Sequence, residues 1–126
     1  MMFVGWDACL DDAMLNAAEI ERIRSSGELG KFAIDCNKCL MEMNCGRFGE
    51  PCLDMADPAA MAAALCPECI ETCDKYYCDV DISTGISAGA VLVDIYSFSG
   101  KEPNVWICSK LKPQVYKDYI FRTLHA

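Results

Sequence analysis

Residues 36–45 read CNKCLMEMNC, and residues 66–78 read CPECIETCDKYYC. These two stretches hold most of the 10 cysteines in this 126-residue chain, and each stretch begins with a Cys-x-x-Cys pair. A cysteine content of about 8% is typical of proteins held together by disulfides or by a bound metal ion. The arrangement of the two stretches therefore decides the predicted fold.

The apolar residues leading into the first stretch recur at helical spacing. From Leu29 to Met43 they fall at i, i+3, i+4 and i+7, and Gly46 follows as a stop signal. An earlier run of apolar residues with the same spacing predicts a preceding helix from Asp7 to Arg24, ended by Gly27. The first stretch is thus predicted to lie on the second of two helices.

The second stretch follows a strong helix start. Asp57 and Pro58 suit the N-cap and the first helical position, and residues 59–65 are rich in alanine and other helix formers. Pro67 interrupts this run, and we expect Cys66 to cap a new turn. The pattern predicts a third helix that continues to about Tyr77, with the cysteines on one face.

Antiparallel packing of the second and third helices would bring cysteines face to face, because residues opposite each other then have nearly constant summed numbers. In that arrangement the Cα atoms of facing cysteines would lie close enough for a disulfide to form. The candidate disulfides are Cys36–Cys73, Cys39–Cys69 and Cys45–Cys66, although sequence alone does not fix the connectivity. Another four cysteines, an even number, would remain: Cys9, Cys52, Cys78 and Cys108.

The same hairpin could instead hold zinc, since two Cys-x-x-Cys pairs can supply the four thiolates of a closed structural site. The candidate ligands are Cys36, Cys39, Cys66 and Cys69, and any such site would be all-sulfur because the only histidine is His125. No cofactor is expected with disulfides, and zinc is the alternative. Disulfides would require an oxidising compartment (intermembrane space, lumen or extracellular), whereas zinc would suit the cytoplasm, so the localisation stays open.

The carboxyl-terminal third changes character after Cys78. Residues 90–98 and 105–108 are rich in β-branched and aromatic side chains and are separated by a turn-like segment, which predicts a short β-hairpin. Pro113 then opens a helix to Leu124. Three aromatic side chains of this helix fit either the core or a docking interface: Tyr116, Tyr119 and Phe121.

The predicted fold class is mainly α (α+β), with a Cys-rich antiparallel helical hairpin, a preceding helix, a short β-hairpin and a C-terminal helix. We expect a single domain over residues 1–126, in which residues 7–78 form the helical part and 79–126 the remainder.

Charge and composition limit the possible functions. The net charge of −8 and the scattered basic residues argue against a nucleic-acid partner, and no apolar run is long enough for a membrane span. The amino end has no pattern of a secretory signal. With one histidine, and with Asp11–Asp12 interpreted as solvated charges, the sequence indicates no catalytic group.

The sequence therefore favours a non-catalytic structural or accessory subunit, stapled by disulfides, that docks onto a protein partner or larger complex. The alternative is an intracellular zinc-binding adaptor with an all-cysteine site. A third interpretation is a thiol–disulfide oxidoreductase using Cys66 and Cys69, because a Cys-x-x-Cys at a helix start lowers the thiol pKa. This interpretation is less favoured, because a redox motif of this kind normally follows a β-strand, whereas Cys66 and Cys69 follow the alanine-rich segment 59–65.

Overall fold

The computed structural model describes all residues from 1 to 126 and shows an α/β fold. Four strands form a mixed sheet, and two short strands pair separately. The strands are β1 (Met2–Val4), β2 (Leu15–Asn16), β3 (Cys52–Leu53), β4 (Ile70–Val80), β5 (Val91–Asp94) and β6 (Val105–Leu111). The helices are α1 (Ala17–Ser25), α2 (Glu28–Asp35), α3 (Lys38–Phe48), α4 (Ala56–Leu65) and α5 (Pro113–Thr123).

The large sheet has the order β1-β6-β4-β5. Strand β1 runs parallel to β6, with Met2 opposite Trp106, and β4 is antiparallel to both of its neighbours. Strand β4 lies in the middle of the sheet and places Cys73 opposite Cys108. The first and last parts of the chain therefore meet in one sheet, and β2 pairs with β3 beside it.

The predicted mainly α fold is wrong, and the error lies in residues 70–80. The third helix ends at Leu65, a short 3₁₀ turn covers Pro67–Cys69, and Ile70–Val80 forms the longest strand of the sheet. Cys66, Cys69 and Cys73 lie three and four residues apart, which is the spacing of one helix face. The Ile, Thr, Tyr and Val residues of the segment, however, favour a strand. The segment forms a strand and not a helix because β4 makes backbone hydrogen bonds with a neighbouring strand on each edge, β5 on one side and β6 on the other. No Cys-rich helical hairpin exists.

The other predicted helices are also divided. Residues 7–16, predicted as helix, form two 3₁₀ turns and β2. Helix α1 begins only after Asn16, its N-cap, whose side chain accepts a hydrogen bond from the backbone amide of Glu19 in a capping box. The second predicted helix is broken between α2 and α3 at Cys36 and Asn37, and Gly49 ends α3 with a left-handed φ of 83°.

The predicted β-hairpin is wrong as well, because β5 and β6 both exist but do not pair with each other. Strand β4 lies between them. The C-terminal helix is confirmed from Pro113 to Thr123. It covers a hydrophobic core of 18 buried residues, in which Leu15, Ile23 and Tyr116 are among the largest completely buried side chains. None of the helices has the length and apolar character needed to cross a membrane.

Candidate active site

A cleft opens where β3 passes into α4. Its volume is about 420 Å³, and its wall combines an indole, an amide, two carboxylates and apolar side chains. The lining residues are Trp6, Asn37, Leu40, Asp54, Met55, Ala56, Asp57 and Pro58. The cleft thus joins the end of β1, the α2–α3 connection and the start of α4.

The first turn of α4 presents Asp57 to the solvent. Met55 is the N-cap and Ala56 the first helical residue, so α4 starts two residues earlier than predicted, and Asp57 and Pro58 lie within its first turn. Pro58 causes no loss here, because the amides of a first turn have no partner within the helix. The positive end of the helix dipole stabilises a carboxylate at this position. Asp57 is therefore an exposed, negatively charged group at the mouth of the cleft.

The second carboxylate of the cleft, Asp54, is buried, and each of its oxygens accepts a hydrogen bond from a protein group. One of its oxygens accepts a hydrogen bond from the Trp6 indole, and the other accepts one from the Asn44 amide at 2.5 Å. Only 3% of Asp54 and 1% of Asn44 are exposed. A buried carboxylate needs such partners, because removing an unpaired charge from water costs several kcal/mol or more. Asp54 thus has a structural environment, and Asp57 has a solvent-facing one.

An apolar cavity of about 370 Å³ adjoins the cleft at the start of α4. It shares Met55, Asp57 and Pro58 with the cleft, and Met61 and Tyr119 are among its other lining residues. Asp57 therefore borders both a cleft of mixed polarity and an apolar cavity.

Asp11 and Asp12 lie outside this region. Together with Asp7 they line a separate cleft of about 480 Å³, whose other wall includes Lys110. The Lys110 ammonium lies 2.9 Å from Glu71, and its pKa is raised by the hydrogen bond and charge of Glu71 and, more weakly, by Asp12.

The cysteines form no disulfides, so the predicted stapling is wrong. All 10 are free thiols. Cys36, Cys39 and Cys45 are exposed on the α2–α3 region, whereas Cys66 and Cys69 are buried beyond the end of α4. The predicted pairs Cys36–Cys73, Cys39–Cys69 and Cys45–Cys66 fail because they required one helix from Cys66 to about Tyr77, where the chain forms a 3₁₀ turn followed by β4.

The four candidate zinc ligands are divided in the same way between an exposed pair, Cys36 and Cys39, and a buried pair, Cys66 and Cys69. No group of three or more His, Cys, Asp or Glu side chains has an arrangement that could hold a metal ion. Burial raises the pKa of the Cys69 thiol to about 11, with smaller contributions from its neighbours Cys66 and Cys108. A thiol held neutral in this way is the opposite of the activated thiol that an oxidoreductase needs.

The three aromatic residues of α5 have different environments. Tyr116 and Phe121 are buried in the core, and the Tyr116 hydroxyl donates a hydrogen bond to the Met55 carbonyl at 3.3 Å. Tyr119 is half-buried and lines the apolar cavity. The predicted interface role of these residues stays a prediction, and Tyr119 is the only one with a substantial exposed fraction.

Sequence reasoning missed Trp6, Asn44 and Asp54 and used Asp57 only as a cap. The available signal was the segment LDMADP at residues 53–58, in which two carboxylates three residues apart flank a predicted helix start. The contribution of Trp6 had no local signal, because 48 residues separate it from Asp54.

Comparison with known proteins identifies related folds. An inosine-guanosine nucleoside hydrolase superposes with a TM-score of 0.71 at 15% identity, covering 90% of this chain and 36% of the other. A plant nucleoside hydrolase gives a TM-score of 0.75 at 17% identity, with 91% and 38% covered. The chain thus spans little more than a third of the length of these solved structures. No curated protein matches it.

The sequence itself supplies the assignment, since the family model of the inosine-uridine preferring nucleoside hydrolases matches residues 1–118. These proteins are hydrolases that act on small molecules. The prediction of a non-catalytic, partner-docking subunit is therefore wrong. The two alternatives, a zinc-binding adaptor and a thiol oxidoreductase, are wrong as well. This chain belongs to the inosine-uridine preferring nucleoside hydrolase family.

Proposed function

We propose that this chain takes part in hydrolysing the N-glycosidic bond of a ribonucleoside, with Asp57 as the carboxylate that faces the substrate. The observation that carries the proposal is the exposed carboxylate at the first turn of α4, at the mouth of a cleft, in a chain of the nucleoside hydrolase family. The family prefers inosine and uridine, and one related structure is an inosine-guanosine nucleoside hydrolase, which supports ribonucleosides as substrates.

Glycosidic bonds are commonly cleaved through a transition state in which the sugar resembles an oxocarbenium ion. Carboxylates beside the sugar stabilise this positive charge, or accept a proton from the attacking water. Asp57 has the exposure that either role requires, whereas both oxygens of Asp54 already accept hydrogen bonds from protein groups. In the proposal, Asp57 contacts the ribose or the water, and Asp54 does not.

Nucleoside hydrolases commonly bind calcium, and this chain fits that ion only in part. Calcium takes about six to eight oxygen ligands. Asp57 could supply one carboxylate, but both oxygens of Asp54 already accept hydrogen bonds from protein donors, and no group of three or more His, Cys, Asp or Glu side chains could hold a metal ion. The residues of this chain therefore do not form a calcium site.

The test is turnover of inosine by the purified chain, measured by chromatographic separation of inosine and hypoxanthine with and without added calcium. We expect hydrolysis that Asp57→Asn reduces by at least about 100-fold, the lower range for loss of a positioned acid–base group. The matched control is Asp118→Asn, which neutralises an exposed carboxylate on α5 that accepts a hydrogen bond from Gln114.

The proposal requires the control to keep the parental rate. Absence of turnover in the parent protein, or equal rates for the parent and Asp57→Asn, would contradict it. Isothermal titration of the same proteins with inosine gives the second reading, because a carboxylate that contacts ribose contributes to affinity as well as to rate.

A further inference from the structure

We infer that Asp54 is a positioning residue, which holds the start of α4 so that Asp57 points into the cleft. This inference rests on the proposed function of Asp57. The Asp54 carboxylate is buried, and each of its two oxygens accepts a hydrogen bond from a protein donor. We therefore assign it no direct contact with the substrate.

Three separate segments meet at the Asp54 carboxylate. Trp6 belongs to the 3₁₀ turn that follows β1, Asn44 lies on α3, and Asp54 itself follows β3. The Asn44 amide also approaches the Cys52 carbonyl at 3.4 Å, which ties α3 to β3. The carboxylate therefore fixes the position of the chain between β3 and α4 relative to two other elements.

The link from Asp54 to Asp57 is short and is held at its middle. Only Met55 and Ala56 separate the two acids. The Met55 carbonyl accepts the helical hydrogen bond from the Ala59 amide at 2.9 Å and a second one from the Tyr116 hydroxyl at 3.3 Å. A displacement of Asp54 would therefore be transmitted to the first turn of α4, and so to Asp57.

The chemistry of the site explains why the residue is an aspartate. Asp54 belongs to none of the salt bridges, so no cation compensates its burial. An ionised carboxylate accepts hydrogen bonds at both oxygens, whereas an asparagine would present its NH₂ group to one of the two donors. Two donors that converge from different elements therefore favour a carboxylate, since an asparagine at position 54 could keep both contacts only if the Asn44 amide turned over and lost its contact with the Cys52 carbonyl.

The experiment uses a Trp106→Phe background, which leaves Trp6 as the only tryptophan of the chain. In it we compare Asp54→Asn, Asn44→Asp and the double exchange of both residues. The exchange preserves the charge and restores complementary bonding, since an amide at position 54 can accept from the Trp6 indole and donate to a carboxylate at position 44. The measurements are kcat and KM for inosine, the Trp6 emission maximum and Tm, with Asp118→Asn as the matched control.

We expect Asp54→Asn to lower kcat by roughly 10- to 100-fold with little change in KM, because a small misplacement of a reacting group can reduce a rate by that factor. The Trp6 emission maximum should shift, because a neutral amide replaces the charged carboxylate beside the indole. The double exchange should recover most of the lost kcat and the parental emission, and Asp118→Asn should match the parent. A purely structural role would lower Tm alone.

A normal kcat in Asp54→Asn despite a lower Tm overturns the positioning role and leaves the proposed function standing. Failure of the double exchange to raise kcat above that of the single variant also overturns it. A parent without turnover overturns the proposed function, and the positioning role with it. If Asp54→Asn does not fold, Trp6→Phe replaces the indole by a smaller ring that cannot donate a hydrogen bond, and an unchanged kcat in that variant contradicts the inference.

Discussion

The Lys117 ammonium on α5 lies 3.0 Å from the Glu19 carboxylate on α1, and only 12% and 21% of the two side chains are exposed. The same Glu19 oxygen accepts a hydrogen bond from the Asn16 amide in the capping box of α1. One carboxylate therefore anchors the last helix to the first and closes the amino end of α1.

Lys117→Met should lower the free energy of unfolding by about 1–2 kcal/mol, because it removes a charged hydrogen bond from a largely dehydrated pair. The control is Lys38→Met, whose partner Glu42 lies 3.8 Å away with 66% of its side chain exposed. An exposed pair of this kind is worth about 0.5 kcal/mol or less. Urea titrations of both variants check the difference, and equal losses would contradict it.

Gly30→Ala should destabilise the protein, since a Cβ at this buried position of α2 would overlap the Ile23 carbonyl and the Ser26 hydroxyl where α1 and α2 meet. Gly46→Ala is the matched control within α3, where a Cβ meets no neighbouring atom. It should stabilise the protein by about 0.5–1 kcal/mol through helix propensity. Thermal unfolding should therefore shift in opposite directions for the two variants.

A count of thiols should find all 10 cysteines free when the protein is denatured without reductant. In the native protein, iodoacetamide should label Cys36, Cys39 and Cys45 first, because these thiols are exposed. The completely buried Cys9 and Cys69 should react last. Peptide mass spectrometry after timed labelling checks the order, and fewer than 10 thiols in the denatured sample would indicate disulfides.

Alkaline pH should destabilise the fold through the same buried thiols. Burial, with the charge of Asp54 adding to it, raises the pKa of Cys9 to about 11, and burial raises that of Cys69 to about 11, from an ordinary value of 9.0. A raised pKa means that the unfolded chain loses its protons first, so stability is intact below about pH 9 and falls as the pH rises towards 11.

The measurement is Tm between about pH 8 and pH 11 for the parent and for a Cys9→Ala, Cys69→Ala double variant. The parent should lose Tm over this interval, and the variant should lose less of it. A parallel decline in both proteins would assign the pH dependence to other groups.

The sequence predicted those parts of the site whose signals are local. Asp57 and Pro58 marked the start of α4 within one or two residues, because the chemistry of a first helical turn depends on adjacent amides. The partnership of Asp54 with Asn44 and Trp6 was not predictable, since its donors are 10 and 48 residues away and come from elements whose packing no short pattern describes.

The sequence by itself determined α5, the amino end of α4 and the presence of strand-forming segments near β5 and β6, since caps, prolines and β-branched residues act over a few neighbouring positions. The identity of residues 70–80 was decided only in the tertiary structure. In this segment the spacing of Cys69 and Cys73 favours a helix, whereas the residue types favour a strand. The segment forms a strand because β5 and β6 supply backbone hydrogen-bonding partners on both of its edges. The pairing of β1 with β6 likewise joins residues from distant parts of the chain, and so depends on the packing of the whole molecule.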